Sequence, residues 1–130
     1  MMGELNTEKA NVLIVEDDSF SQTILNMFLK QQYCTAVADN GSEALNILQS
    51  GFMPQLIISD LHTPELDGFQ LLEILKANPL YQAIPFVVLC GDDSEVQKIR
   101  CTKAGAAAFV VKPFNPTVLA SLIDTLLKKN

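Results

Sequence analysis

Hydrophobic positions in this chain fall into short unbroken runs that end in charged residues. Val12-Leu13-Ile14-Val15 stops at Glu16-Asp17-Asp18, Leu56-Ile57-Ile58-Ser59 stops at Asp60, and Phe109-Val110-Val111 stops at Lys112-Pro113. Runs rich in Val and Ile, without polar alternation, belong to strands covered on both faces, as in a parallel sheet. Tyr33 to Ala38 and Ile84 to Leu89, the latter closing at Cys90-Gly91, read as two further strands, and Ala107 to Val111 completes the fifth. Between the runs the apolar period lengthens to that of a helix. Ile24, Leu25, Phe28 and Leu29 form one stripe, capped by Ser19 or Ser21. Ala44, Leu45 and Leu48 form a second over Ser42 to Gln49, between the turn Asp39-Asn40-Gly41 and Gly51. A third helix runs from Phe69 to Lys76, capped by Asp67 and ended by Asn78-Pro79. Asp92-Asp93-Ser94 caps a fourth, which passes through Cys101 and Lys103 to Gly105. Asn115-Pro116 opens a fifth, with Val118, Leu119, Leu122, Ile123 and Leu126 as its stripe and Lys128 and Lys129 at its C-terminus. The pattern predicts five strand-helix units in one domain, residues 11–130, after a polar lead-in at residues 1–10.

If the strands are parallel, Glu16-Asp17-Asp18, Asp60 and Lys112 all lie at strand C-terminal ends. Ligands bind at that edge of an open α/β sheet. Residues far apart in sequence then converge on one acidic pocket holding a single cation, which suits a divalent metal ion and a phosphoryl group.

Composition narrows the partners. At 130 residues and 48% hydrophobic, the chain can bury the core of one compact domain. A net charge of −6 and a single arginine, Arg100, argue against a nucleic-acid surface, which needs clustered Lys and Arg. No apolar stretch approaches the roughly 20 residues that cross a bilayer, and the first residues lack an apolar signal core, so a soluble, cytoplasmic protein without a membrane partner is expected. Cys34, Cys90 and Cys101 are odd in number and show no CxxC spacing, so their spacing suggests neither a disulfide framework nor a zinc site.

The acidic cluster, the Asp-x-x-x-Pro-x-x-Asp-Gly stretch from Asp60 to Gly68, and Lys112-Pro113-Phe114 occur in an order and spacing that resemble the response-regulator receiver domain, the phosphoacceptor module of two-component signalling. The likeness covers roughly residues 11 to 128. It implies a flavodoxin-like (βα)5 fold of α/β class, with a parallel sheet of order 2-1-3-4-5 and helices on both faces. It implies Asp60 as phosphoryl acceptor, with Asp17 and Asp60 as direct ligands of Mg2+ (or Mn2+), Glu16 acting through the metal's water, and the main-chain carbonyl of His62 completing the shell. Lys112 would pair with Asp60 and then with the phosphoryl group, aimed inward by a cis Lys112–Pro113 bond. Pro64, Asp67 and Gly68 would shape the loop. Carboxylates so close repel one another, so one of them is expected to hold a raised pKa until a cation binds. Asp18 is open between a capping or solvated role and a site role. The only histidine, His62, reads as a pocket-rim side chain in preference to a catalytic one.

One position departs from the resemblance in a way that matters. Where the family carries Thr or Ser at the end of the fourth strand, to donate to a phosphoryl oxygen and start the switch, this chain has Cys90, a larger and weaker donor. Phe109 stands where many relatives have Tyr, and is either the switch partner or plain core. The resemblance implies a protein that is not an enzyme on other substrates but catalyses its own phosphorylation and dephosphorylation. A histidine kinase or phosphotransfer histidine would supply the phosphoryl group. An output domain or protein partner would read the face built by the fourth helix, fifth strand and fifth helix. The alternative is a degenerate receiver that binds its partner regardless of phosphate, for which Cys90 is the supporting feature. A haloacid-dehalogenase-type phosphatase would need a second Asp where His62 stands, and a flavin site would need a Ser/Thr/Gly-rich loop where the chain has three acids.

Overall fold

The ends of three strands are held in line by ladder hydrogen bonds that continue one residue past each strand. Glu16 N donates to Ala38 O, Leu61 N to Leu89 O and Lys112 N to Cys90 O. The computed structural model describes residues 9–128, so residues 1–8 of the lead-in and Lys129 lie outside the described residues. The elements are β1 (Asn11–Val15), α1 (Ser19–Leu29), β2 (Cys34–Ala38), α2 (Gly41–Gln49), β3 (Leu56–Asp60), α3 (Gly68–Lys76), β4 (Phe86–Cys90), α4 (Glu95–Lys103), β5 (Ala108–Val111) and α5 (Pro116–Lys128). The strands form one five-stranded sheet in the order β2-β1-β3-β4-β5, and every pairing is parallel. Among the described residues no helix is long and apolar enough to cross a membrane.

The unbroken apolar runs exist because both sheet faces are covered. Alternate strand residues point to opposite faces, and here they enter two separate cores. Leu13, Val15, Ile57, Phe86, Val88 and Cys90 pack with α2, α3 and Cys101 of α4. Val12, Ile14, Leu56, Ile58, Val87 and Leu89 pack with Leu25 and Leu29 of α1 and Leu119 and Ile123 of α5. Strand β5, at the sheet edge, is only half-buried along its length.

Three local expectations need correction. The cap of α1 is Asp18, whose carboxylate accepts from Ser21 N at 2.9 Å; Asp and Ser are equally competent caps, and the path of the chain out of β1 sets Asp18 just before the first turn. The cap of α4 is Ser94 alone among the three expected residues, because the chain must still turn out of the sheet at Asp92-Asp93. The apolar stripes are narrower than the sequence suggests, for Ile24 is 39% and Val118 65% exposed. A helix lying on a sheet buries mainly the i, i+4 row, here Leu25–Leu29 and Leu119–Ile123, and Ile24 and Val118 sit a helical step away from it. Ile24 instead lines a surface groove with Phe20, Phe114 and Pro116.

Candidate functional site

The parallel register sets the sequence clusters side by side. Val15 lies opposite Ser59, Asp60 opposite Leu89, and Cys90 opposite Val111. Glu16, Asp60 and Lys112 therefore leave the sheet at one edge. Lys112 Nζ donates to Asp60 Oδ2 at 3.0 Å and to Glu16 Oε1 at 3.1 Å, so one ammonium serves two carboxylates. The Lys112–Pro113 peptide bond is cis.

The three acids after β1 divide into separate tasks. Glu16 is 1% exposed, and its Oε2 accepts from Asp18 N at 3.2 Å. Asp17 is exposed. Asp18 turns away to cap α1, and the bonds it accepts from Ser21 hold its carboxyl below the usual aspartate value. Capping, one of the two roles open for Asp18 in the sequence, is the one it takes.

Charge within the pocket is unbalanced. A carboxylate oxygen from each of Glu16, Asp17 and Asp60 lies within 4.8 Å of the other two, against the single lysine. Burial, and then the charge of Asp60, push the Glu16 carboxyl above the usual glutamate value despite its bonds from Lys112 and Asp18 N–H. Burial acts to lower Lys112, but its hydrogen bonds to Asp60 and Glu16, with their charges, more than offset it and hold the ammonium above the ordinary lysine value. Glu16 is thus the carboxyl that carries the repulsion expected from the sequence. A set of hard oxygen donors with excess negative charge fits a small divalent cation such as Mg2+.

The loop after β3 is shaped to hold Asp60 in place. Asp60 is 7% exposed, and its Oδ1 accepts from His62 N at 3.3 Å. Thr63 Oγ1 donates to Leu66 O at 2.9 Å, Gly68 N to Leu61 O at 3.0 Å, and Asp67 and Gln70 cap α3 reciprocally. A Cβ on Gly68 would collide with the Asp60 carbonyl and lie 2.9 Å from Leu61 Cα, so only glycine lets α3 start this close to β3. The His62 side chain is exposed at the rim. Cys90 is fully buried at the end of β4. Phe109 is half-buried, opposite Val88, and packs on the core beneath α3 and α4.

Sequence reasoning missed one pairing and one member of the site. The sequence pairs Lys112 with Asp60, and the second pair, Glu16–Lys112, joins residues 96 positions apart. Gln22 of α1 donates to Glu16 O at 2.8 Å and to Asp39 Oδ1 at 2.9 Å, tying the β1 end to the loop after β2. Its position on the polar side of a helix stripe carries no signal of that role.

The response regulator receiver domain model matches residues 12–124. The two-component response regulator ORR3 of Oryza sativa subsp. indica is 30% identical over 120 residues, spanning 92% of each chain. The histidine kinase P4 of Formosa agariphila is 36% identical over 121 residues, which are 93% of this chain and 9% of that kinase. Among solved structures, the signal receiver domain of a signal transduction histidine kinase from Syntrophus aciditrophicus superposes with a TM-score of 0.85 at 36% identity, covering 92% of this chain and 91% of that one.

Proposed function

The chain belongs to the response regulator receiver domain family, and on that premise we propose that it accepts a phosphoryl group on Asp60 and reports it as a changed protein-binding surface. The carrying observation is the Asp60 carboxylate itself, nearly buried at a strand end and 3.0 Å from Lys112 Nζ, with Glu16 and Asp17 alongside. A carboxylate oxygen of Asp60 attacks phosphorus, the bond from phosphorus to the donor atom breaks, and the donor leaves with that electron pair. With a phosphohistidine donor the broken bond is P–N and the imidazole takes up a proton from solvent. Lys112 pairs with the Asp60 carboxylate beforehand and then compensates charge on the phosphoryl oxygens. Glu16, Asp17 and Asp60 would hold the divalent ion, with the His62 carbonyl completing its shell. When bound, Mg2+ neutralises the crowded carboxylates and the phosphoryl oxygens. Asp17, the exposed member, is the open side of that set.

Histidine kinases or phosphotransfer proteins are the expected donors, and the face of α4, β5 and α5 is the expected output surface, with Phe109 on its central strand. Incubation with acetyl phosphate and Mg2+ tests the reading. One phosphoryl group per chain by intact mass is expected, abolished by chelator and by Asp60→Asn. An undiminished adduct on Asp60→Asn would overturn it.

The full burial of Cys90 in the core favours a second reading of the output step. A buried thiol is a poor donor to a phosphoryl oxygen, so the partner surface would then change little on phosphorylation and the domain would bind constitutively.

A further inference from the structure

Cys90 has neighbours that its sequence spacing does not reveal. An imidazole nitrogen of His62, Cys90 Sγ and a carboxylate oxygen of Asp92 all lie within 4.8 Å of one another. They come from the C-terminal ends of two neighbouring strands: His62 follows β3, while Cys90 is the last residue of β4 and Asp92 lies two residues on. Among the described residues, neither the His62 imidazole nor the Asp92 carboxylate takes part in a hydrogen bond or ion pair. Three different donors thus converge with their lone pairs uncommitted, and their chemistry differs from that of the adjacent carboxylate pocket. Thiolate, imidazole and carboxylate together suit Zn2+ and its borderline relatives, whereas Mg2+ selects oxygen-only sets such as Glu16, Asp17 and Asp60.

We propose that His62, Cys90 and Asp92 form a second metal site, for a Zn2+-class ion, at the rim of the carboxylate pocket. Zn–S and Zn–N bonds near 2.3 and 2.1 Å place tetrahedral donors about 3.5 Å apart. The required contraction is at most about 1.3 Å, and it falls to the two exposed side chains, His62 and Asp92, since Cys90 is fixed in the core. The ion enters from the solvent side, the Cys90 thiol gives its proton to solvent as the Zn–S bond forms, and water takes the fourth position. The ion then ties the end of β4 to the loop after β3. The site does not depend on phosphorylation of Asp60, so it can fail without touching that reading.

Titration of the whole chain with Co2+, as a spectroscopic substitute for Zn2+, tests the proposal. A thiolate-to-cobalt charge-transfer band with tetrahedral visible absorption is expected, removed by stoichiometric Zn2+ and retained in excess Mg2+. Cys90→Thr should abolish the band and Cys34→Ser should leave it intact. His62→Ala and Asp92→Asn alter exposed side chains and keep the core; each should weaken Zn2+ binding at least about tenfold in competition with a chromophoric chelator, since even changes outside the ligand shell cost roughly 10- to 100-fold. Absence of a thiolate band, its survival in Cys90→Thr, its loss in Cys34→Ser, its displacement by Mg2+, or unchanged affinity in both His62→Ala and Asp92→Asn would each overturn the site.

Discussion

Lys112 donates to Glu16 and Asp60 at once, and the two carboxylates answer for different things. Asp60 is the proposed nucleophile. Glu16 is where the missing positive charge is felt, with its carboxyl pushed up by burial and by Asp60. Because its folded pKa is raised, Glu16 binds a proton more readily in the folded chain than in the unfolded one. Its contribution to stability is therefore largest below the ordinary glutamate value and declines as pH rises through the raised folded value. Lys112, also raised, stabilises fully below the ordinary lysine value and loses that contribution only as pH climbs through its own higher one. Glu16→Gln in chelator should accordingly flatten the fall in melting temperature as pH rises above the ordinary glutamate value. An unchanged slope would mean that Glu16 does not carry the repulsion. At Cys90, amide shifts on adding beryllofluoride, which stands in for the phosphoryl group on Asp60, should be smaller around Phe109 and α4 in the wild type than in Cys90→Thr. Equal, full-sized shifts in both would dispose of the constitutive reading.

At the scale of elements, the site depends on how each segment starts. Asp67 accepts from Gln70 N at 2.8 Å while Gln70 Oε1 accepts from Asp67 N at 2.9 Å, and this cap orients the loop that follows Asp60 and carries His62. Asp67→Ala should cost about 1 kcal/mol, or about 4 °C in melting midpoint for a domain of this size. Gly68→Ala should cost more than Asp67→Ala, because an added Cβ meets fixed backbone of Asp60 and Leu61; a smaller loss than that of Asp67→Ala would show that the loop can yield. The strands, their parallel pairing and the convergence of Glu16, Asp60 and Lys112 were legible in the sequence, because a strand buried on both faces must be apolar up to the residue where it leaves the sheet. The cap of α1 was not, since Asp18, Ser19 and Ser21 are all competent caps and only the path of the chain chooses among them. Nor were the exposure of Ile24 and Val118, the Glu16–Lys112 pair or the Cys90 neighbourhood, each of which depends on the angle at which separate elements meet.

Across the whole molecule, one sheet edge gathers a three-carboxylate set with a single lysine. That imbalance would make a bound divalent ion a stabilising ligand as well as a chemical one: a cation that binds only the folded chain raises its stability by mass action. Mg2+ should raise the thermal midpoint of the wild type, and Asp17→Asn should abolish that rise while melting no lower than wild type in chelator, having lost a source of repulsion. Retention of the full Mg2+-dependent rise in Asp17→Asn would move the metal elsewhere.

Asp60, alone among the acids of this chain, is proposed to form the phosphoryl bond. Borohydride reduces an acyl phosphate to the alcohol, so an aspartyl phosphate at that position becomes homoserine, which peptide mass spectrometry locates directly. After incubation of the wild type with acetyl phosphate and Mg2+, homoserine is expected at position 60 and at no other acid. Homoserine at position 17 or 18, or its absence at position 60 while the protein carries a phosphoryl adduct, would contradict it.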